Sequence, residues 1–152
     1  MTSAPHPQPE LPPPGLFRRL AAMAYDALLL TALWMVAGAI WVAIHHGAAP
    51  PGDHLFQLYL LIIAFGFFGL FWTLAGRTLG MQAWRLRLVT LDGGRPGWRE
   101  ASIRFAAALL SWLPLGLGYL WALFDPQKRT WHDRLSGTRL VLDPKGYQAT
   151  AT

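Results

Sequence analysis

The stretch LAAMAYDALLLTALWMVAGAIWVAI, Leu20–Ile44, decides the fold of this 152-residue chain. It runs 25 residues with one charged side chain, Asp26. Its apolar residues follow neither a period of two nor one of 3.6, so no polar face is set aside for water. A helix of this length, rising 1.5 Å per residue, covers the ~30 Å hydrocarbon core of a bilayer. Two more blocks are of similar length: Leu55–Ala75 with 21 residues and Ala101–Phe124 with 24. Hydrophobic residues make up 53% and charged residues 14%, against ~25% charged in an ordinary soluble domain. These features describe an integral membrane protein of one domain, residues 16–143, in the cell (inner) membrane. A Pro-rich tail at 1–15 is expected to be disordered, and 144–152 to be a flexible tail.

Several classes are excluded at this level. With no cysteines there is no disulfide framework, thiolate metal site or Cys nucleophile. Residues 1–15 hold six Pro and no Lys or Arg, so they lack the basic start of a cleaved signal peptide, and the first block is expected to act as an uncleaved anchor. The net charge of +5 does not imply nucleic acid, because the cations flank the apolar blocks and form no single basic stripe.

Those cations set the orientation. Arg18 and Arg19 precede the first block, and the loop His45–His54 has no Lys or Arg. The segment Gly76–Arg104 carries six Arg: Arg77, Arg85, Arg87, Arg95, Arg99 and Arg104. Basic loops stay cytoplasmic, which places the N-terminus inside and the first loop outside. If the third block crossed once, Lys128, Arg129, Arg134, Arg139 and Lys145 would all lie on the wrong side. The middle of that block reads LPLGLG, Leu113–Gly118, which disfavours a continuous helix. Two half-helices, Ala101–Trp112 and Tyr119–Phe124, would instead form a re-entrant hairpin. The alternative is one span kinked at Pro114.

The strand candidates favour the hairpin. Trp84–Gly94, WRLRLVTLDGG, alternates and ends on an Asp-Gly turn signal, and Thr138–Leu142, TRLVL, is the other strand-like run. A lone strand leaves its backbone groups unpaired, so the two are expected to pair, on one side of the membrane.

Asp26 is the chemically unusual residue. A carboxylate in a membrane helix costs ~2.5–3.5 kcal/mol at the centre, so it must face protein or water and have a partner. Arg19 lies two turns earlier on the same face, with Ala22 between them leaving room for another helix. One reading makes Asp26 a proton- or cation-binding group; the other makes it a structural clasp with Arg19.

Three stretches, RLAAMAYD (Arg19–Asp26), GRTLGMQAWRLRLVTLDG (Gly76–Gly93) and FDPQKRTWHDRLSGTRLVL (Phe124–Leu142), together resemble the RDD family of membrane proteins. The resemblance covers nearly everything from Arg18 to Leu142. It implies an Arg at the start of the first helix and an Asp within it, the positions of Arg19 and Asp26. It also implies a second Asp in the tail signature, where Asp133 fits best and Asp125 competes. Where the family often has a Lys, this chain has Met81. The activity usually suggested for the family is transport of ions or small ligands.

The remaining polar residues suggest no reaction. His132 and Asp133 have no Ser or Cys nucleophile on an elbow beside them, and as sequence neighbours they diverge on a helix. Asp133 is expected to meet Arg19 or another Arg at the cytoplasmic edge, and His132 to hydrogen-bond backbone. His45, His46, Asp53 and His54 lack the spacing that presents metal ligands from one helix face. GRTLG (Gly76–Gly80) reads as a tight exit from the second span, and Trp41, Trp72, Trp121 and Trp131 as an interfacial belt.

The expected fold is an all-α membrane protein: two transmembrane helices, a third re-entrant or kinked hydrophobic segment, and a short cytoplasmic β-strand pair. The polar cluster is Arg19, Asp26, Asp133, Asp125 and His132. No enzyme activity, cofactor, metal or nucleic acid is expected. The partners are the lipid bilayer and a second copy or another membrane protein, since two spans cannot line a path alone. Beside transport stands a second possibility, a non-transporting assembly or partner-binding module whose charges are structural.

Overall fold

The computed structural model describes residues 11–112 and 117–143. The long first block becomes α1, Leu16–His45, and the second becomes α2, His54–Ala75. Helix α1 starts before the apolar block, so Arg18 and Arg19 are helical. It ends at His46, whose φ of 54° is left-handed. The Asp53 carboxylate caps α2 by accepting the Leu55 and Phe56 N–H groups, and His45 stacks on Trp41 at 4.0 Å. Both helices are long and apolar enough to cross a membrane, and most of their side chains are exposed in the isolated chain. The buried residues of α1 are Arg19, Ala22, Asp26 and Ala37. Its two buried charges and the alanine between them form one protein-facing stripe.

After α2 the chain turns sharply. Gly76 adopts φ 67°, and the Thr78 hydroxyl caps the short helix α3, Leu79–Ala83. Strand β1, Leu86–Thr90, pairs antiparallel with β2, Thr138–Leu142, in the register Leu86↔Leu142 to Thr90↔Thr138. The expected pairing is therefore present, within shorter limits than Trp84–Gly94. Arg85, with φ 55°, breaks the extended backbone before β1, and Thr90–Gly94 closes the turn after it.

Helix α4, Trp98–Trp112, packs on α2, where the ring of Trp98 lies against Gly69. The expected break at Leu113–Gly118 falls largely outside the described residues. Beyond it the chain doubles back. Helix α5, Leu117–Leu120, lays Gly118 against Ser111 of α4, and α6, Trp131–Ser136, reaches the beginning of α4. The second half-helix is present over much the expected residues, but in two pieces: α5 to Leu120 and a 3-10 turn, Trp121–Leu123, where Tyr119–Phe124 was expected. Pro126 disfavours helical backbone at Asp125, which stops the helix there.

The core lies at one end of the long helices, where Ala22, Trp72, Met81, Leu86, Leu88, Ala101 and Leu140 pack together. Trp72 is thus a core residue and not part of an interfacial belt: it is 5% exposed, with the Arg104 guanidinium 5.3 Å from its ring. Met81, at the position where a Lys was implied, joins the same core.

Candidate functional site: an Arg–Asp clasp below an apolar cavity

The site is assembled by α6. Thr130 and Asp133 form a reciprocal cap: the Thr130 hydroxyl accepts the Asp133 N–H, and the Asp133 carboxylate accepts the Thr130 N–H. This cap holds Asp133 in place independently of its ion pairs. Its Oδ2 then receives Arg19 Nη1 at 3.2 Å, and its Oδ1 pairs with Arg104 Nη1. Arg104 Nη1 also donates to Thr138 Oγ1 at 3.0 Å, at the start of β2, and Arg19 Nε donates to the Pro14 carbonyl. One carboxylate therefore ties together α1, α4, α6 and the sheet.

The expected Arg19–Asp26 clasp is replaced by this arrangement. Helical side chains lean toward the N-terminus, so Arg19 extends away from Asp26 and toward the tail. Asp26 has other partners. Its Oδ1 accepts the Gly80 N–H at 2.9 Å and its Oδ2 accepts the Thr78 hydroxyl. Gly80 is required there, because a Cβ would collide with the Ala22 carbonyl and the Asp26 carboxyl. Asp125 stays outside the cluster. It accepts the Arg129 N–H at 2.8 Å, with Arg129 and Arg134 at 3.9 and 4.0 Å, and so organises its own loop. Of the two candidates for the second Asp, Asp133 is the one that meets Arg19.

Burial would by itself push the Asp133 carboxyl up, but neighbouring Arg104, with His132 and Arg19, holds it well below the usual carboxylate range. His132 is pulled down to about 3, first by burial and then by Arg104, so the ring is neutral at physiological pH. Its Nε2 lies 3.0 Å from the Thr130 hydroxyl, where a backbone partner was expected, and its ring packs 4.8 Å from Tyr119.

Between α1, α2 and α4 lies a cavity of about 450 Å³. Arg19, Asp26, Arg104 and His132 contribute its polar end, and Leu30, Trp34, Leu61 and Phe105 line the apolar part. Sequence reasoning missed Arg104, Thr78, Gly80, Thr130 and Thr138. Two signals were present: Thr130-x-x-Asp133 has capping-box spacing, and Arg104 is a lone cation three residues into an apolar block.

Two helices long and apolar enough to cross a membrane, with buried Arg–Asp pairs joining the first of them to α4, α6 and a two-strand sheet, make up a mostly helical protein. The chain belongs to the RDD family, whose description matches residues 13–137. No curated protein and no solved structure matches it.

Proposed function

We propose that this protein is a multi-pass membrane transporter of ions or small ligands, with the cavity between α1, α2 and α4 as its binding site. The carrying observation is that cavity, about 450 Å³ of mostly apolar space ending on Arg19, Asp26, Arg104 and His132. Its size is that of a small-ligand site, and a few convergent polar groups in an apolar setting are what such sites use for selection. In this reading α1 and α2 span the bilayer with the N-terminus cytoplasmic, and α4 and α5 form the re-entrant hairpin. The Arg19–Asp133–Arg104 clasp closes the cytoplasmic end. A second copy or another membrane protein completes the path, because most of α1 and α2 is uncovered in the single chain.

The test is flux into proteoliposomes under imposed pH and sodium gradients, comparing wild type with Ala108→Phe. Ala108 lines the cavity and is a member of none of the ion pairs, so a larger ring there fills space without removing a clasp residue. Flux in wild type and its loss in a stable Ala108→Phe protein is the expected result. Equal flux in both, or none in either, contradicts the proposal.

The second reading, an assembly module, is favoured by one observation: Asp133 is fully engaged by Arg19, Arg104 and Thr130, as in a structural lock. It gains if wild type shows no flux but loses a partner or its oligomeric state when the clasp is broken.

A further inference from the structure

The polar end of the cavity is electrically unbalanced. Arg19 and Arg104 bring two guanidiniums to the single carboxylate of Asp133, and all three side chains are at least nine-tenths buried. His132 beside them is neutral, since its pKa falls to about 3. Asp26 does not correct the imbalance at close range. It lies two helical turns from Arg19, about 10 Å along the axis, and its oxygens are taken by Thr78 and Gly80. Trp72 offers Arg104 only the face of its ring, at 5.3 Å.

Polar atoms are also left over. Arg104 Nε and His132 Nδ1 are buried without a hydrogen-bond partner, and both residues line the cavity. Buried polar groups of this kind normally find partners, and a surplus cation normally finds an anion. From this floor the cavity runs along α1 past Asp26 and Thr31 to Trp34, its walls otherwise mostly apolar. A volume of about 450 Å³ is on the scale of a single hydrocarbon chain.

We propose that the cavity binds a single-chain amphiphile with a monoanionic head, a long-chain carboxylate, its head at Arg19 and Arg104 and its chain lying toward Trp34. This names the ligand class for the cavity of the proposed transporter, and rests on that assignment of the site. The head supplies the missing negative charge beside Arg19 and Arg104; the chain is recognised by shape and apolar contact. Among the described residues Trp34 and Trp72 border the cavity, so binding has a built-in optical reporter.

The experiment uses the full chain in nanodiscs of neutral phosphatidylcholine, titrated with 9,10-dibromostearate, whose bromines quench tryptophan on contact. Expected is a saturable quenching component displaced by unbrominated stearate. Methyl stearate and octadecyltrimethylammonium should displace it at least ten-fold less well, and acetate not at all. Ala108→Phe should lose the saturable component while keeping its melting temperature. Equal displacement by the ester or the ammonium would overturn the anionic head. Displacement by acetate or by phosphatidylglycerol would overturn the single chain. The absence of a saturable component overturns the inference outright, yet leaves the transporter standing if Ala108 still controls flux. Saturable binding without any flux sinks transport and keeps the ligand site.

Discussion

Arg19 and Asp133, separated by 114 residues in the chain, meet at 3.2 Å, and this contact joins the first membrane-length helix to the tail signature. Asp26, on the same helix face, is held instead by Thr78 and Gly80. The signature residues therefore serve two separate contacts. One closes the end of the bundle through α6, and the other docks α3 against α1.

The docking of α3 gives the first prediction. Gly80→Ala forces a methyl group into the Ala22 carbonyl and the Asp26 carboxyl. Overpacking of this kind costs about 1–3 kcal/mol, and here it also displaces the backbone N–H that Asp26 accepts. Thermal unfolding in detergent should show a clear loss for Gly80→Ala. Gly66→Ala, where a Cβ meets nothing within 4 Å, should be neutral or stabilising. Equal melting temperatures for the two variants would contradict the close approach.

His132 makes stability depend on pH. Its folded pKa of about 3 lies below the ordinary 6.5, so below pH 6.5 the unfolded chain binds more protons than the folded one. Stability contributed by the neutral ring is fully present above 6.5 and is lost as the pH falls toward 3. At about 1.4 kcal/mol per pH unit, the loss reaches roughly 2 kcal/mol by pH 5. Asp133, whose pKa is depressed, loses its contribution only at lower pH. Denaturation midpoints at pH 7 and pH 5 should differ for wild type and converge for His132→Gln. An unchanged difference in the variant would assign the dependence elsewhere.

The strand pair has a defined ladder. Leu88 N–H donates to Gly76 and Leu142 N–H to Pro12, so these alternate residues face away from the partner strand. By antiparallel alternation the Val141 N–H faces Arg87, its register partner. Val141→Pro removes that donor and strands a carbonyl, a loss of about 1–3 kcal/mol before any packing change. Unchanged unfolding in detergent would refute the register.

Topology is open to direct labelling, because the wild-type chain has no cysteine. In the proposed topology both termini are cytoplasmic, so His6→Cys and Tyr147→Cys should resist an impermeant thiol reagent in intact cells, while Ala48→Cys should react. Positions 6 and 147 lie outside the described residues. Labelling at 147 before lysis would replace the hairpin with a third full crossing.

Much of the fold was legible because apolar length and backbone pairing are crude, strong rules. Uninterrupted apolar length located α1 and α2, and the need to satisfy strand backbone predicted the pairing of Leu86–Thr90 with Thr138–Leu142. The partner of Arg19 was not legible. Helical spacing brings Arg19 and Asp26 to one face, but spacing does not say that the Arg side chain leans toward the N-terminus. Nor does it say that two hydrogen bonds from a turn 52 and 54 residues away will occupy Asp26. Arg104 was counted among the cations that set orientation, and only the return of the chain along α4 shows that it faces Asp133. Trp72 read as interfacial for a similar reason: its depth follows from a core that forms only once the sheet is in place.

The most direct test of the clasp is a pair of double-mutant cycles on unfolding free energy. Arg19→Leu or Asp133→Leu alone should cost roughly 3–5 kcal/mol, because each leaves charge buried without its partner. Combined, they should cost clearly less than the sum, with a coupling of about 1–3 kcal/mol. The parallel cycle, Arg19→Leu with Asp26→Leu, should be additive to within about 0.5 kcal/mol, since these two residues hold different partners. Strong coupling between positions 19 and 26 with additivity between 19 and 133 would contradict the clasp and return Arg19 to its helix neighbour.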